Sequence, residues 1–307
     1  MKKIFVDGSA GTTGLQIHER LSRRRDVEVL SIDEGRRKDP AARAELMNAA
    51  DVVFLCLPDA AAVEAVGLIE NPAVRVIDTS TAHRTAAGWV YGFPELGSRE
   101  AVAGASRIAN PGCHATGFIS VVCPLVRSGL LPKEALLTCF SLTGYSGGGK
   151  KMIAEYGEPQ RDSALDSPAL YALGQQHKHL PEMQKYCGLA HPPVFCPVVA
   201  DYYKGMATTV GLHAGMLSGS ASVSSLHELY ADFYAASPLI GVAEAPEARL
   251  YANDKAGTDG LRIVISGNGE RFAVTALFDN LGKGASGAAI ENMNIALGFP
   301  PETGLNP

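Results

Sequence analysis

Short apolar runs alternate with longer amphipathic stretches through the first hundred residues of this chain. Lys2–Asp7 reads as a strand, and residues 12–24 repeat their apolar positions at helical spacing. Residues 27–31 form the next strand, and Pro40 opens a helix over Pro40–Ala49, where a missing N–H is no loss. Residues 51–57 are almost wholly apolar, as a strand buried on both faces should be. A helix over 60–70 and a strand over 74–78 continue the series. This β-α-β-α-β rhythm predicts an α/β fold with a doubly wound, Rossmann-like parallel sheet.

From about residue 135 the rhythm changes. Strand-like runs at 135–143, 194–199, Met206–His213, 261–266 and 272–278 are joined by polar loops with fewer helices between them. They predict a second, α+β domain with a mixed or antiparallel sheet. The expected division is 1–112 and 113–283, with a tight hinge near Gly112. A last helix, 284–297, lies in a tail (284–307) expected to pack back on the first domain.

The 307 residues are 46% hydrophobic and 19% charged, with a formal net charge of −5. That balance argues against a general nucleic-acid surface, and the runs Arg23-Arg24-Arg25 and Arg36-Arg37-Lys38 need context before they mean a ligand. The apolar stretch at the N-terminus is too short for a signal peptide, and no long apolar segment follows, so the expected location is the cytosol. Six cysteines (56, 113, 123, 139, 187, 196) form no C-x-x-C pair, which argues against a zinc site. Five sit in apolar segments and read as core thiols. Cys113 differs by its neighbourhood.

Gly8-Ser9-Ala10-Gly11-Thr12-Thr13-Gly14 follows the first strand directly and opens the first helix. Glycines there allow a tight turn and close approach of backbone to a pyrophosphate, whose charge rests on the helix N-terminus. An ordinary glycine turn is the alternative, and the strand–loop–helix context favours the dinucleotide. Ser31-Ile32-Asp33-Glu34-Gly35-Arg36-Arg37-Lys38 ends the second strand. An acidic residue there would accept from ribose hydroxyls and favour NAD, whereas arginines would pair with a 2′-phosphate and favour NADP. Both types are present; the three cations favour NADP, and the residues alone leave the choice open.

Asn110-Pro111-Gly112-Cys113-His114 ends a strand and starts a helix. The unpaired N–H groups and partial positive charge of a helix start favour thiolate over thiol, and thiolate attacks carbonyls. An acid/base partner is sought in Gln176-His177-Lys178-His179-Leu180-Pro181-Glu182. Histidines two apart cannot share a helix face, so an extended or turning segment is expected, with one ring facing the site. His114 is expected to point elsewhere, and His18, His83, His191, His213 and His227 read as surface or structural. Tyr145-Ser146-Gly147-Gly148-Gly149-Lys150 can cradle a phosphate or be a flexible loop. Lys204 can bind a substrate anion or cap a strand edge, and Asn280 can orient a nicotinamide amide or cap a turn.

Together these segments resemble the N-acetyl-γ-glutamyl-phosphate reductases, in their shorter variety. The likeness runs through Gly8 to Gly14, Leu55-Cys56-Leu57-Pro58, Val76-Ile77-Asp78-Thr79-Ser80, Tyr91-Gly92-Phe93-Pro94-Glu95, the Cys113 segment, His177 to Glu182, and Asp279-Asn280-Leu281-Gly282-Lys283-Gly284. It implies reduction of N-acetyl-γ-glutamyl phosphate to N-acetylglutamate semialdehyde and inorganic phosphate in arginine biosynthesis. It also implies NADPH as cofactor, no metal, and a homodimer or homotetramer built through the second domain. Cys113 then matches the nucleophile and His179 the acid/base, with His177 as fallback. The glycine loop, Ser31, Arg36, Arg37, Leu57, Pro58, Ser80 and Asn280 are expected at the cofactor. Asn110, Arg84, Ser146, Gly147, Lys150, Lys204 and Glu182 are expected at the substrate. The chain departs from the pattern at His114, where the family often has an aromatic residue, and at Lys150 and Lys204, where longer relatives tend to carry arginine. Rival readings are an aspartate-semialdehyde dehydrogenase, a reductase of carrier-bound aminoadipyl phosphate, and a non-enzymatic NADP-binding sensor.

Overall fold

A computed structural model describes all 307 residues. They form two compact units: Met1–Pro111 with Ala285–Leu305, and Gly112–Gly284 with Asn306–Pro307.

The first unit is a six-stranded sheet. Its strands are β1 (Lys2–Asp7), β2 (Val27–Leu30), β3 (Val52–Leu55), β4 (Arg75–Asp78), β5 (Val90–Tyr91) and β6 (Arg107–Ala109), in the order β2-β1-β3-β4-β6-β5. Every pairing is parallel. Helices α1 (Thr12–Ser22) and α4 (Arg99–Gly104), with a C-terminal helix (Gly287–Leu297), cover one face. Helices α2 (Pro40–Ala49) and α3 (Asp59–Val66) cover the other. Alternation within single strands builds both cores: Ile4 and Val6 join Ile17, Leu21, Ile290 and Met293, while Phe5 joins Met47, Ala62 and Ala65. All four β3 residues are sealed from solvent, so its continuous apolar run is what a doubly covered strand requires. Each large apolar side chain buried this way contributes about 1.5–3 kcal/mol.

Strand order reverses between β1 and β3, so the loops leaving them diverge at their C-terminal ends. In parallel sheets, ligands sit at such a reversal.

The second unit holds a seven-stranded mixed sheet. Its strands are β7 (Thr138–Gly144), β8 (Ala169–Leu170), β9 (Val194–Ala200), β10 (Met206–His213), β11 (Ile240–Glu244), β12 (Leu261–Gly267) and β13 (Arg271–Phe278), in the order β11-β12-β13-β10-β7-β9-β8. Its helices are α5 (Cys113–Arg127), α6 (Gly149–Gly157), α7 (Leu180–Cys187) and α8 (Val223–Phe233). In α5 every residue from His114 to Val126 is buried. Pro124 lies inside α5 and cannot donate to Ser120. The hydroxyl of Tyr234 donates to the Ser120 carbonyl instead, at 2.9 Å, and Tyr230 donates to the next carbonyl, Val121, at 2.5 Å. Gly117 lets α5 settle on the sheet, since a Cβ there would lie 2.4 Å from Thr208 Oγ1. The opposite sheet face leaves Phe140, Val194 and Leu170 exposed.

No helix is long and apolar enough to cross a membrane. The expected last helix is in fact two pieces, a π-helical turn (Gly282–Ser286) and then Gly287–Leu297.

Candidate active site

In the first unit the turn after β1 is built by exclusion of side chains. Gly8 has φ +88°, and a Cβ on it would lie 2.3 Å from the Cys56 carbonyl oxygen, just past β3. A Cβ on Gly14 would lie 2.4 Å from the Gly8 carbonyl. Gly11 caps α1 with no side-chain hydrogen bond, so the first-turn N–H groups are not claimed by a cap. That is the chemistry of a pyrophosphate cradle. Leu57 packs against Gly8, Pro58 caps α3, and Ser80 is buried with its N–H and Oγ bonded to Asp78. All three therefore stand at the same C-terminal edge of the sheet. The ion pair of Arg43 with buried Asp7, 2.6 Å, braces the end of β1.

Beside the turn a cavity of about 230 Å3 is lined by Ser9, His18, Ser31, Glu34 and Arg37, with apolar walls from Phe5 and Leu30. His18, read as structural, thus contributes to a pocket wall. Arg37 pairs with Glu34 at the rim. Arg36 instead pairs with Asp39 at 3.1 Å, and Asp39 caps α2. Asp33 accepts from the Gly35 N–H at 2.8 Å, capping its own turn.

In the second unit Cys113 is the first residue of α5, half-buried, behind an N-cap (Gly112) that has no capping side chain. The Gly112 N–H donates to Glu182 Oε2 at 3.0 Å, and Glu182 is 1% exposed. Glu182, expected at the substrate, therefore anchors the entrance to the cysteine helix. Gly284 comes up against the cysteine, since a Cβ on it would lie 2.9 Å from Cys113 Cβ. All six cysteines are free. Burial raises the Cys56 thiol to about 12 and the Cys123 thiol to about 11, and pushes Cys139 and Cys187 up as well. Those four stay protonated at neutral pH. Cys113, at a helix start, has the surroundings that favour a thiolate.

Around the next residue, His114, gathers a ring cluster. His177 and His179 lie in the turn before α7 with centroids 4.6 Å apart. The His179 N–H donates to His177 Nδ1 at 3.2 Å, which leaves the neutral His177 proton on Nε2. The turn lets both rings enter the cluster, where a single helix face would have admitted one. The ring of His114, expected to point away from the thiol, is buried in this cluster, 5.7 Å from His177 and 5.8 Å from His179. Its Nε2 is 2.6 Å from the Tyr171 hydroxyl and its Nδ1 is 2.7 Å from Ser141 Oγ. Desolvation, then the neighbouring His177, lowers its pKa to about 3.

The segment carrying Tyr171 and His177 is pinned to the sheet edge. Ala172 (φ 52°) and Gln175 (φ 54°) both adopt left-handed backbone, a strain of the kind that collects at functional loops. The Gln175 amide offsets it by imitating a strand: its Oε1 accepts from Phe195 N–H and its Nε2 donates to Phe195 O, both at 2.8 Å.

The other expected residues are employed as follows. Asn280 is buried, accepting from the Gly205 N–H at 2.9 Å and donating to Ser146 Oγ at 2.9 Å. Its amide thus ties the Ser146 turn to the Gly205 backbone. Gly147 and Lys150 are exposed beside Ser146, and Lys204 Nζ lies 3.5 Å from Asp279. In the first unit Arg84 is buried, donating from Nε to the Asn110 carbonyl and from Nη2 to the Thr79 carbonyl. The Asn110 amide donates to the Ala285 carbonyl and accepts from Asn292, so its side chain fixes the C-terminal helix. His83 is structural as expected, stacked on Trp89 and 2.6 Å from Asp78.

Tyr171, Ser141, Thr208 and Gln175 escaped the sequence reading, and Lys283, one of the largest fully buried side chains, is named there only within its motif, with no role. Lone polar residues in strands carry no motif. The one available signal was Tyr171 six positions before His177, in a polar stretch with no helical or strand period.

Comparison with known proteins agrees with this layout. Residues 3–105 match the family described as "Semialdehyde dehydrogenase, NAD binding domain", and residues 113–280 match "Semialdehyde dehydrogenase, dimerisation domain". The chain is 45% identical to the N-acetyl-gamma-glutamyl-phosphate reductase of Trichormus variabilis, over 99% of both chains. It is 46% identical to the protein of that name from a Chelativorans species, over 96% of this chain and 98% of the other. Among solved structures, aspartate semialdehyde dehydrogenase from Francisella tularensis superposes with a TM-score of 0.73 at 13% identity, covering 96% of this chain and 99% of that one. This last likeness speaks to the fold.

Proposed function

This chain belongs to the N-acetyl-gamma-glutamyl-phosphate reductases within the semialdehyde dehydrogenase family, and from that premise we propose that it reduces N-acetyl-γ-glutamyl phosphate to N-acetylglutamate semialdehyde and phosphate with NADPH. The observation that carries the chemistry is Cys113: a half-buried thiol at the start of α5, followed by His114, whose ring lies within 6 Å of the paired histidines, in a chain whose relatives match it end to end.

Cys113 Sγ attacks the acyl-phosphate carbon, the bond to the phosphate oxygen breaks, and a thioester remains. The reduced dinucleotide, when bound, supplies a hydride to that carbonyl carbon. His179 gives a proton to the oxygen as the thiohemiacetal forms and takes it back as the C–S bond breaks, returning the thiolate. His177 is the fallback for this role, and its Nδ1 is already an acceptor within its own turn. α5 N–H groups can support the developing oxyanion.

Gly8, Ser9, Ala10, Gly11, Thr12, Thr13 and Gly14 would hold the pyrophosphate, with Leu57, Pro58 and Ser80 beside it. Arg37, with Arg36 next to it and Ser31 opposite, would meet a 2′-phosphate. NADP is preferred because Asp33 caps its own turn and Arg37 lines the cavity. Ser146, Gly147, Lys150 and Lys204 would face the anionic groups of the substrate. A second copy would cover the open sheet face of Phe140, Val194 and Leu170, in keeping with the dimerisation-domain match. Six free thiols suit the reducing cytosol.

The test is a steady-state assay with N-acetylglutamate semialdehyde and phosphate, using NADP or NAD. Phosphate-dependent NADP reduction, faster than with NAD and faster than with aspartate semialdehyde, is expected. Preference for the aspartyl substrate would overturn the assignment.

A further inference from the structure

After β13 the chain enters the π-helical turn Gly282–Ser286, where two glycines leave no room for a side chain. A Cβ on Gly282 would lie 2.1 Å from the Thr258 carbonyl oxygen. A Cβ on Gly284 would lie 2.9 Å from Cys113 Cβ, and 3.2 Å from both the Asp279 carbonyl oxygen and the Phe278 ring. The Gly284 N–H donates to that Asp279 carbonyl at 3.0 Å. An α-turn would give the carbonyl to Lys283, one residue earlier. The wider turn is rare, and where it occurs it gathers at functional sites. A buried carboxylate holds it in place. Asp279 is 2% exposed, and its Oδ1 accepts from the Leu281 N–H at 2.8 Å and the Gly282 N–H at 3.3 Å. These are N–H groups that the start of a helical turn leaves without a main-chain acceptor. Asp279 Oδ2 accepts from the Gly257 N–H at 2.6 Å and lies 3.5 Å from Lys204 Nζ.

Resting on the thiol reading above, we propose that Gly284 is a positioning residue for Cys113: its bare main chain, set by the π-turn and Asp279, is the wall that fixes where the sulfur stands. A cysteine sulfur has three staggered positions about its Cβ, and inside a helix the preceding turn closes one of them. Cys113 is the first residue of α5 and has no preceding turn, so its own helix supplies little of this restriction. Gly284 supplies it from outside. A glycine lets main chain close on the Cys113 Cβ, where a further Cβ would force one of the two aside. A sulfur confined before the substrate arrives loses no further freedom in the attack, and misplacing it by about 1 Å costs about a hundredfold in rate. Asp279 acts at one remove, through the turn. Its two oxygens serve separate contacts: Oδ1 the turn, Oδ2 the Gly257 backbone and Lys204.

The first test reads the sulfur directly, in crystals of the free wild-type enzyme and of Gly284→Ala, with no substrate. It therefore stands apart from the identity of the acyl phosphate. One Cys113 rotamer is expected in the wild type, and in Gly284→Ala a sulfur moved by about 1 Å or divided between rotamers. The second test is steady-state kinetics with the semialdehyde that the wild type oxidises. Gly284→Ala should lower kcat about a hundredfold and leave KM little changed. Asp279→Ala should lower kcat in the same way. Asp279→Asn keeps an acceptor for Leu281 and Gly282, so it should retain kcat and raise KM through the loosened Lys204. Thermal melts accompany each variant, and where one does not fold the other position decides. A sulfur unmoved in Gly284→Ala, several rotamers in the wild type, a wild-type kcat in Gly284→Ala, or a kcat in Asp279→Asn as low as in Asp279→Ala would overturn the proposal. A wild type that oxidises no semialdehyde would end the reductase reading instead, and the crystals would still decide the wall.

Discussion

The turn after β1 and the cluster around Cys113 solve opposite problems. The turn binds with backbone: Gly8 and Gly14 matter because nothing projects from them, and the contacts that forbid side chains come from a few residues away and from the end of β3. The cysteine cluster works with side chains, gathered from the start of α5, β7, the 171–179 segment and β10. A motif of the first kind is written contiguously in the sequence. One of the second kind is written in single residues scattered over almost a hundred positions.

Breaking each region should therefore look different. The largest effect is chemical and leaves the fold alone. Cys113→Ser should lower kcat on the order of 10^4 or more, as loss of an attacking group does, with an unchanged melting curve. In the turn, damage should appear in the fold as well as in binding. Gly8→Ala sets a Cβ 2.3 Å from the Cys56 oxygen on a backbone with φ +88°. A loss of about 2–5 kcal/mol in a urea melt is expected, together with weaker NADP binding by titration.

How much of this was legible follows the same contrast. Strand Lys2–Asp7, helix Pro40–Ala49 and strand Met206–His213 have the ends their patterning predicts, because period and punctuation are local. The two-residue strands β5 and β8 are too short to show a period, and they exist through neighbours. Helix α7 was read only as a turn before Pro181, although proline in a first turn is itself a start signal. For His114, reasoning along one helix could not supply the ring's partners. It meets Tyr171 and Ser141 because β7 and the 171–175 segment come round to it. Sequence order holds no record of that meeting.

Smaller effects sharpen the contrast. The buried Gly112 N–H has Glu182 as its acceptor, so Glu182→Ala should lower stability by about 1–3 kcal/mol, the cost of an orphaned buried donor. Glu182→Gln, which keeps an acceptor, should recover most of it. For His114 the folded pKa, about 3, lies below the unfolded value near 6.5. The unfolded chain therefore binds the extra proton first as pH falls, and stability contributed by neutral His114 is lost progressively between about pH 6.5 and 3. Going from pH 7 to 5 should remove about 2 kcal/mol through this group, and His114→Phe should flatten that slope in paired denaturant melts. The smallest effect falls at the cavity rim. Arg37→Ala should weaken NADP about tenfold, the scale of one charge-assisted hydrogen bond, and leave NAD nearly unchanged in the same titration.

The covalent step is examined most directly by rapid quenching of the enzyme with N-acetyl-γ-glutamyl phosphate, without reduced cofactor, followed by mass spectrometry of its peptides. One N-acetylglutamyl group on the peptide containing Cys113, formed as fast as phosphate is released in the first turnover, is the predicted result. Phosphate release with no acyl group on that peptide, or full turnover by Cys113→Ser, would contradict it.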